Sequence, residues 1–240
     1  MVAGGARFAS SAGRLHRWIA LIVGIQLLLW VASGLFMSVV PIERIRGEHL
    51  KAVPAPAVDP HALVPEIATA LAALPPGKAD RIEIRQMLGQ PVLLLAGEGG
   101  ARLFDARTGA PLSPISADTA RALAAADFTG KGKPVSVSAV TAASPEYRGP
   151  LPAWRVDFDD AETTRLFVSA DEGRVAARRT GLWRVYDFLW SLHIMDWRDH
   201  EDINNNWLRG ASALALLLAL TGVVLIPWRM GWLRKRRRWN

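Results

Sequence analysis

The stretch that decides the fold covers residues 180–200 and reads TGLWRVYDFLWSLHIMDWRDH. Its large rings recur in steps of three and four, which places them on one stripe of a helix: Trp183, Tyr186, Trp190, His193, Trp197 and His200. Tryptophan is favoured at the level of lipid headgroups, where its ring is shielded and its N–H reaches water. We therefore interpret residues 180–206 as an amphipathic, Trp-rich interfacial helix and turn.

The chain has two long apolar runs, one near its N-terminus and one directly after this helix and turn. A helix needs about 20 apolar residues to cross a bilayer, and we predict transmembrane helices over residues 18–40 and 207–228. Small residues, which let helices approach closely, repeat every four positions in the second run: Ala211, Ala215 and Ala219. We expect the two spans to pack on each other or on a second chain, with Gln26 hydrogen-bonded across that contact.

The distribution of charge predicts the topology. All 22 acidic residues lie between Glu43 and Asp202, whereas the charged side chains of residues 1–17 and 229–240 are all basic. By the positive-inside rule, we expect a cytoplasmic N-terminus over residues 1–17, a basic cytoplasmic tail over residues 229–240, and residues 41–206 outside. The sequence pI of about 10.5 is typical of nucleic-acid-binding proteins. Here the basic residues crowd against a membrane exit, so anionic lipid explains them and no nucleic-acid partner is expected.

The outer region reads as an α+β domain. After a neck and Pro/Ala linker over residues 41–58, residues 59–179 show a helix followed by three short antiparallel strands, and then show that order again. The predicted helices cover residues 61–74 and 116–128, and the predicted strands cover residues 81–88, 91–96, 101–105, 134–141, 153–158 and 163–169. The phrases FDARTGAPL and VSADEGRVA repeat one pattern, a strand, an Asp-containing turn whose glycine needs positive φ, and then a strand again.

Histidines are the candidate chemical groups, since the chain has no Cys and no hydrolase or P-loop signature. His16 lies at the mouth of the first span, and His193 lies between Trp190 and Trp197. Either could be an ordinary interfacial side chain. Either could instead ligate haem, because a neutral imidazole is a standard axial ligand and the neighbouring rings suit a flat macrocycle. We interpret the other three histidines as exposed residues of the neck, a helix start and a turn: His49, His61 and His200.

Distance limits how a haem could be held. His16 and His193 lie at opposite faces of an apolar core about 30 Å thick. On one straight helix His193 and His200 would be about 10.5 Å apart, too far for two ligands of one iron. A haem with two histidine ligands would therefore pair His193 with His49 or with His193 of a second chain, and His16 with its mate in a dimer. This arrangement predicts a homodimer or a membrane partner subunit.

Three segments resemble the PepSY-associated transmembrane family. The run RLHRWIALIVGIQLLLWVASG resembles its first helix, LWSLHIMDW and NNNWLRGASALALLLALTGVVLI resemble its later segment, and the two repeated turns are similar to those of PepSY domains. The resemblance implies a tandem PepSY-like periplasmic domain over residues 59–179, carried on a two-helix anchor in a bacterial inner membrane. Larger relatives with four or more spans include haem-containing reductases that release iron from siderophores. By that analogy His16 and His193 match the family's His-Arg-Trp and Leu-His positions.

The resemblance implies two functions of different classes. The first is a haem b electron-transfer component that reduces a periplasmic ferric complex, with His16 and His193 as metal ligands. Its remaining cofactor-binding residues would be arginines near the propionates and flanking rings: Arg14, Arg17, Arg184, Trp190 and Trp197. The second is a non-enzymatic regulatory or scaffold protein whose PepSY domains bind a periplasmic protein. The chain has two predicted spans and no flavin or nicotinamide domain, which argues against a self-sufficient reductase.

Overall fold

The computed structural model of the chain describes residues 2–53, 68, 72 and 79–229, with side chains from residue 18 onwards except 222 and 224–229. The chain divides into two compact units. One unit consists of Met1–Val40 and Asp187–Asn240, and we call it the helical unit. The other consists of Pro41–Tyr186 and is the mixed α/β unit.

Two long helices form most of the helical unit. Helix α1 is Val2–Val39, and its part Trp18–Val39 is the one helix among the described residues that is long and apolar enough to cross a membrane. The C-terminal helix of the chain, Asn206–Arg229, packs against α1. Its apolar stretch within the described residues, Asn206–Thr221, is shorter than a span.

On each of these two helices, the less exposed side chains recur every three or four residues and so lie along one face. On α1 the less exposed side chains include Val23, Gln26, Trp30 and Ser33. On the C-terminal helix they are Leu208, Ala211, Ala215 and Leu218, whereas Ala219 is exposed. Ala211 and Ala215 lie on the less exposed face of the C-terminal helix, as the predicted contact requires, and Ala219 does not. Nε2 of Gln26 is buried and has no hydrogen-bond partner among the described residues, so the hydrogen bond predicted across the contact stays a prediction.

The mixed α/β unit contains two antiparallel sheets. The first has the order β1 (Arg81–Met87), β2 (Gln90–Gly97), β3 (Gly100–Asp105). The second has the order β4 (Pro134–Val140), β5 (Ala153–Phe158), β6 (Arg165–Ser169), β7 (Arg174–Arg179). Between them lies a helix over Ala117–Asp127, which begins where the Ser116 hydroxyl accepts the backbone N–H of Thr119 at 3.1 Å.

One apolar core connects both sheets and this helix, because the apolar side chains of each strand alternate toward it. Its fully buried members include Leu94 and Leu103 of the first sheet, Ala124 of the helix, and Val156 and Leu166 of the second sheet. The predicted α+β class is thereby confirmed as a mixed fold with antiparallel sheets. The predicted helix over residues 61–74 lies outside the described residues apart from Ala68 and Ala72.

The second sheet has one strand more than the three whose bounds the sequence predicts. This strand, β7, follows the turn at Gly173, whose φ is +58°, where the repeated turn pattern predicts a further strand. The register pairs Arg165 with Arg179 and Phe167 with Ala177. The turn in the first sheet also has its expected glycine, since Gly109 has φ +73°.

The start of the predicted neck is folded. Helix α2 (Ile42–Ile45) and a 3₁₀ turn (Glu48–Leu50) bury Ile45 and Leu50 within the mixed α/β unit. The backbone N–H of Ala52 donates to the Asp127 carbonyl at 2.8 Å, and that of Thr129 donates to the Leu50 carbonyl at 3.0 Å. Residues 42–52 are therefore part of this unit and not a free connector.

Three helices follow α1 and α2 in chain order. The helix Ala117–Asp127 is α3, and the helix rich in tryptophan is α4 (Gly181–Ile194). The C-terminal helix Asn206–Arg229 is α5. Helix α4 runs from the end of the mixed α/β unit into the helical unit.

Candidate functional site around His193

Helix α4 is shorter than the ring spacing predicts. The Thr180 hydroxyl accepts the backbone N–H of Trp183 at 3.2 Å, which caps its start. At its end Met195 has φ +55°, and the backbone N–H of Asp196 donates to the Ser191 carbonyl at 3.1 Å. A left-handed residue followed by a hydrogen bond back to the fourth-last helical carbonyl is a standard helix stop.

The carboxylate of Asp196 then holds the following turn. It accepts backbone N–H groups from residues 198, 199, 201 and 202 at 2.9–3.3 Å. The N–H groups of Asp202 and Glu201 contribute most to lowering the pKa of Asp196 far below its usual value. Trp197 and His200 therefore lie in a fixed turn and not on α4, so the prediction that six rings share one helical stripe is wrong for these two.

His193, in the last turn of α4, is anchored on α1. Its Nδ1 lies 2.8 Å from the hydroxyl oxygen of Ser33, which is 2 % exposed. The indole N–H of Trp30 donates to the backbone carbonyl of His193 at 2.8 Å. A Cβ at Gly34 would lie 3.8 Å from the imidazole Cε1, so the small residues of α1 leave room for the ring.

The hydrogen bonds of Ser33 define which nitrogen of His193 carries the proton. The Ser33 oxygen lies 2.7 Å from the Leu29 carbonyl oxygen, a distance that two oxygens reach only when a proton lies between them. The carbonyl has no proton, so the hydroxyl donates to it and accepts from the imidazole Nδ1–H. The neutral ring is then protonated on Nδ1, and Nε2 carries a lone pair.

Indole rings flank this imidazole. The Trp190 ring is nearly parallel to it, with centroids 6.3 Å apart and an interplanar angle of 9°. The Trp30 ring is tilted by 51°, with centroids 6.5 Å apart. Within the described residues Nε2 of His193 has no hydrogen-bond partner. The site therefore presents one oriented nitrogen lone pair between aromatic surfaces.

His200 forms a second anchored imidazole in the helical unit. Its Nδ1 lies 2.6 Å from Oδ2 of Asp187, and both side chains are mostly buried. Its backbone carbonyl accepts the indole N–H of Trp190 at 3.0 Å, and its φ is +59°. The interpretation of His200 as an exposed turn residue is therefore wrong. Local sequence patterns did not indicate that Asp187, Trp30 or Ser33 would contact a histidine.

The other predicted site residues are dispersed. The side chains of Arg14, His16 and Arg17 lie outside the described part of the chain, although α1 includes their backbone. Trp197 is 54 % exposed. Nε2 of His49 lies 3.0 Å from Glu162, a pairing that occupies the nitrogen most often used for ligation.

Arg184 belongs to an ion-pair cluster in the mixed α/β unit. Its Nε donates to Glu146 at 2.8 Å, and Arg165 donates to the same carboxylate at 2.8 and 2.9 Å. Burial raises the pKa of Glu146, but the hydrogen bonds from Arg184 and Arg165 outweigh it and leave the pKa below its usual value. Its Nη1 donates to the carbonyl and the hydroxyl of Thr163, so Arg184 stabilises this unit, and its role near a haem propionate stays a prediction.

Comparison with known proteins gives one match. The family model described as the PepSY-associated TM region matches residues 13–240, nearly the whole chain. No curated protein and no solved structure matches the chain. Among the described residues no group of three or more His, Asp and Glu side chains is placed to hold a metal ion.

Proposed function

The chain belongs to the PepSY-associated transmembrane family, and from that membership and the His193 site we propose that it is a haem b protein of the bacterial inner membrane. His193 would be an axial ligand through Nε2. We further propose that it transfers electrons toward a periplasmic ferric complex. The observation that carries the proposal is the imidazole held on Ser33 through Nδ1, with an indole ring stacked beside it and no hydrogen-bond partner for Nε2 among the described residues.

The residues of the site fit such a group. Histidines that ligate metals usually donate their second N–H to an acceptor, which fixes the tautomer and makes the ligand nitrogen more basic. Ser33 is that acceptor, and its own hydroxyl is oriented by the Leu29 carbonyl. The parallel Trp190 ring and the tilted Trp30 ring add the apolar, aromatic surroundings that suit a macrocycle. Bound haem would supply one-electron chemistry at its iron.

The distribution of charge supports a proposed arrangement in the membrane. We propose that α1 and α5 form a two-pass hairpin with both termini cytoplasmic, and that residues 59–179 are a tandem PepSY-like periplasmic domain. Acidic residues are confined to the segment from Glu43 to Asp202, and basic residues alone flank it. This hairpin would place His193 and its Ser33 anchor near the outer end of α1.

A second axial ligand has two candidates. The expectation that His193 and His200 are too far apart assumed one straight helix, and α4 ends at Ile194. His200 has its Nδ1 on Asp187 and is linked through its carbonyl to Trp190, which also stacks on His193. The other candidate is His193 of a second chain, for which exposed apolar side chains on α1 and α5 provide a packing surface.

The test is an absorption spectrum of the full chain, purified in detergent with haem added, before and after dithionite. We expect a Soret band that shifts on reduction, with α and β bands. His193→Ala should abolish this spectrum, while the control His49→Ala should keep it, since Nε2 of His49 is committed to Glu162. Unchanged haem binding by His193→Ala would show that the assignment is wrong.

Ser33→Ala tests the anchor separately from the ligand. Loss of the acceptor for Nδ1–H makes Nε2 less basic, which favours ferrous over ferric haem. We therefore expect haem to remain bound with a more positive midpoint potential, while Ser33→Thr keeps the original potential. If His200→Ala loses the spectrum of six-coordinate haem, His200 is the second ligand. If His200→Ala keeps that spectrum and the protein is a dimer, the second ligand is His193 of the second chain.

A further inference from the structure

Among the described residues, one edge of the second sheet has no strand paired to it. Strand β4 is its first strand and pairs only with β5. Outside that ladder, the backbone groups of residues 135–140 have no hydrogen-bond partner in the described part of the chain. Its sequence, PVSVSAV, contains no charged residue, and its one proline and its irregular register are confined to Pro134–Ser136. Edge strands without charges or bulges are templates for pairing with another strand.

A cavity of about 490 Å³ lies beside this edge. Ser138 and Val140 of β4, Arg155 of β5 and Phe167 of β6 line it, together with the loop over residues 141–146. These four strand residues point to the face opposite α3, because they alternate with the core residues Val137, Val156 and Leu166. A strand added beside β4 would direct every second side chain toward this face.

This face of the sheet is positively charged. Its strands carry Arg155, Arg165 and Arg179 against a single acidic residue, Asp157, since these positions share one face by register. Glu146 and Arg184, which adjoin it, balance each other. Arg155 is 37 % exposed, and its pairing with Asp157 leaves part of the guanidinium at the surface. The face therefore favours an acidic ligand over a neutral or basic one.

We propose that the β4 edge binds an extended acidic segment of a protein partner, which adds to the second sheet as a fifth strand. Backbone hydrogen bonds to residues 136–140 supply the affinity, and the cavity with Arg155 at its rim selects the side chains. This site lies within the mixed α/β unit and does not depend on haem binding by His193, so each proposal can fail alone. A second copy of the chain is disfavoured as the occupant, because it would bring a second basic face to the same edge.

The test uses the full chain in detergent and a fluorescent peptide of about seven residues, the length of a typical strand, in which Glu alternates with Val. Binding is measured by fluorescence anisotropy. A second peptide has the same sequence with alternate amides N-methylated, which removes backbone donors but keeps the charge. A third has Lys in place of Glu. We expect the second and third peptides to bind at least about tenfold more weakly than the first, as expected for lost backbone hydrogen bonds or a lost ion pair.

Two substitutions locate the binding at β4. Ala139→Glu adds a repelling charge to the edge, and Arg155→Gln removes the charge at the cavity rim. Each should weaken binding of the first peptide about tenfold. Their controls are Ala125→Glu and Arg121→Gln, which make the same changes at exposed positions of α3 and should leave binding unchanged.

Three results would overturn the proposal. The N-methylated peptide could bind as tightly as the first, which would mean charge attraction without strand addition. Ala139→Glu could bind like the unsubstituted chain, which would place the site elsewhere. The chain without peptide could be a dimer that Ala139→Glu dissociates, which would make a second copy the occupant of the edge.

Discussion

Replacing Arg178 with Met should destabilise the mixed α/β unit more than the same replacement of an exposed strand arginine. The side chain of Arg178 is 6 % exposed and forms an ion pair with Asp127 at the end of α3. It also donates to the backbone carbonyl of Gly47 at 3.3 Å. One guanidinium thus joins β7, α3 and the folded neck, and Met conserves the length of the side chain without the charge.

The structure gives the size of the effect. Removing one partner of a buried ion pair costs about 3–5 kcal/mol, because the other charge is left without compensation. The Asp127 side chain is 22 % exposed, so water recovers part of that cost and the lower end of the range applies. The lost bond to Gly47 adds about 1 kcal/mol. The free energy of unfolding should fall by about 4 kcal/mol, which lowers Tm by roughly 8–16 °C in a unit of this size.

The assay is thermal unfolding of the full chain followed by circular dichroism, together with limited trypsin digestion. The neck contains Arg44, Arg46 and Lys51, and Arg178→Met should expose them to cleavage. Arg102→Met on β3 is the matched control, since Arg102 is exposed. The double variant Asp127→Asn, Arg178→Met should recover part of the lost stability because no unpaired charge remains. A change in Tm no larger than that of the control, with the neck still protected, would refute the reasoning.

Three further results are expected. Gly47→Ala should lower the free energy of unfolding by about 1–3 kcal/mol in the same thermal assay, because φ is +68° and the new Cβ would lie 2.7 Å from the Arg178 side chain; equal stability would contradict the close contact. The folded pKa of Glu146 is depressed, so its stabilisation is present above its usual pKa of 4.5 and is lost as the pH falls below it. Glu146→Gln should therefore flatten the dependence of Tm on pH between about pH 5 and pH 3, and an unchanged slope would contradict the assignment. In vesicles of brominated lipid, Trp197→Phe should remove more of the quenched fluorescence than Trp190→Phe, because Trp197 is mostly exposed and Trp190 is packed between two histidines.

The strands that the sequence predicts well are those with alternating apolar residues. Strand β5 has the predicted bounds, Ala153–Phe158, because its core side chains alternate with polar ones. Strand β7 reads RVAARR, and periodicity gives little reason to expect a buried residue at Arg178. Its burial depends on Asp127, 51 positions earlier in the chain. A pairing over that separation leaves no trace in local periodicity.

The fold of the neck could not be predicted for a similar reason. Residues 41–53 look like a charged connector by composition, since apolar residues are few and a Pro/Ala run follows. Two interactions hold them. Ile45 and Leu50 are buried, and backbone hydrogen bonds join Ala52 to Asp127 and Leu50 to Thr129. The membership of the chain in its family and the long apolar helix Trp18–Val39 were predictable, because each depends on a long continuous stretch of sequence.

The ring spacing around His193 was informative about the helix but misleading about its environment. A stripe of indoles and imidazoles can face lipid headgroups or pack on a neighbouring helix, and spacing alone does not distinguish them. Hydrogen bonding does, because an N–H at the headgroup level is satisfied by water, whereas one buried in protein needs a protein acceptor. The Nδ1–H of His193 and the indole N–H of Trp30 and of Trp190 all have acceptors within the helical unit.

This inward orientation changes which residues should contact the lipid. The exposed large apolar side chains of α4 are Val185 and Phe188, and those in and after the turn include Trp197, Ile203 and Trp207. Helix α4 ends at Ile194, and two residues later the carboxylate of Asp196 fixes the following turn. Because the helix ends there, Trp190 stays beside His193, whereas Trp197 and Trp207 after the helix end are exposed.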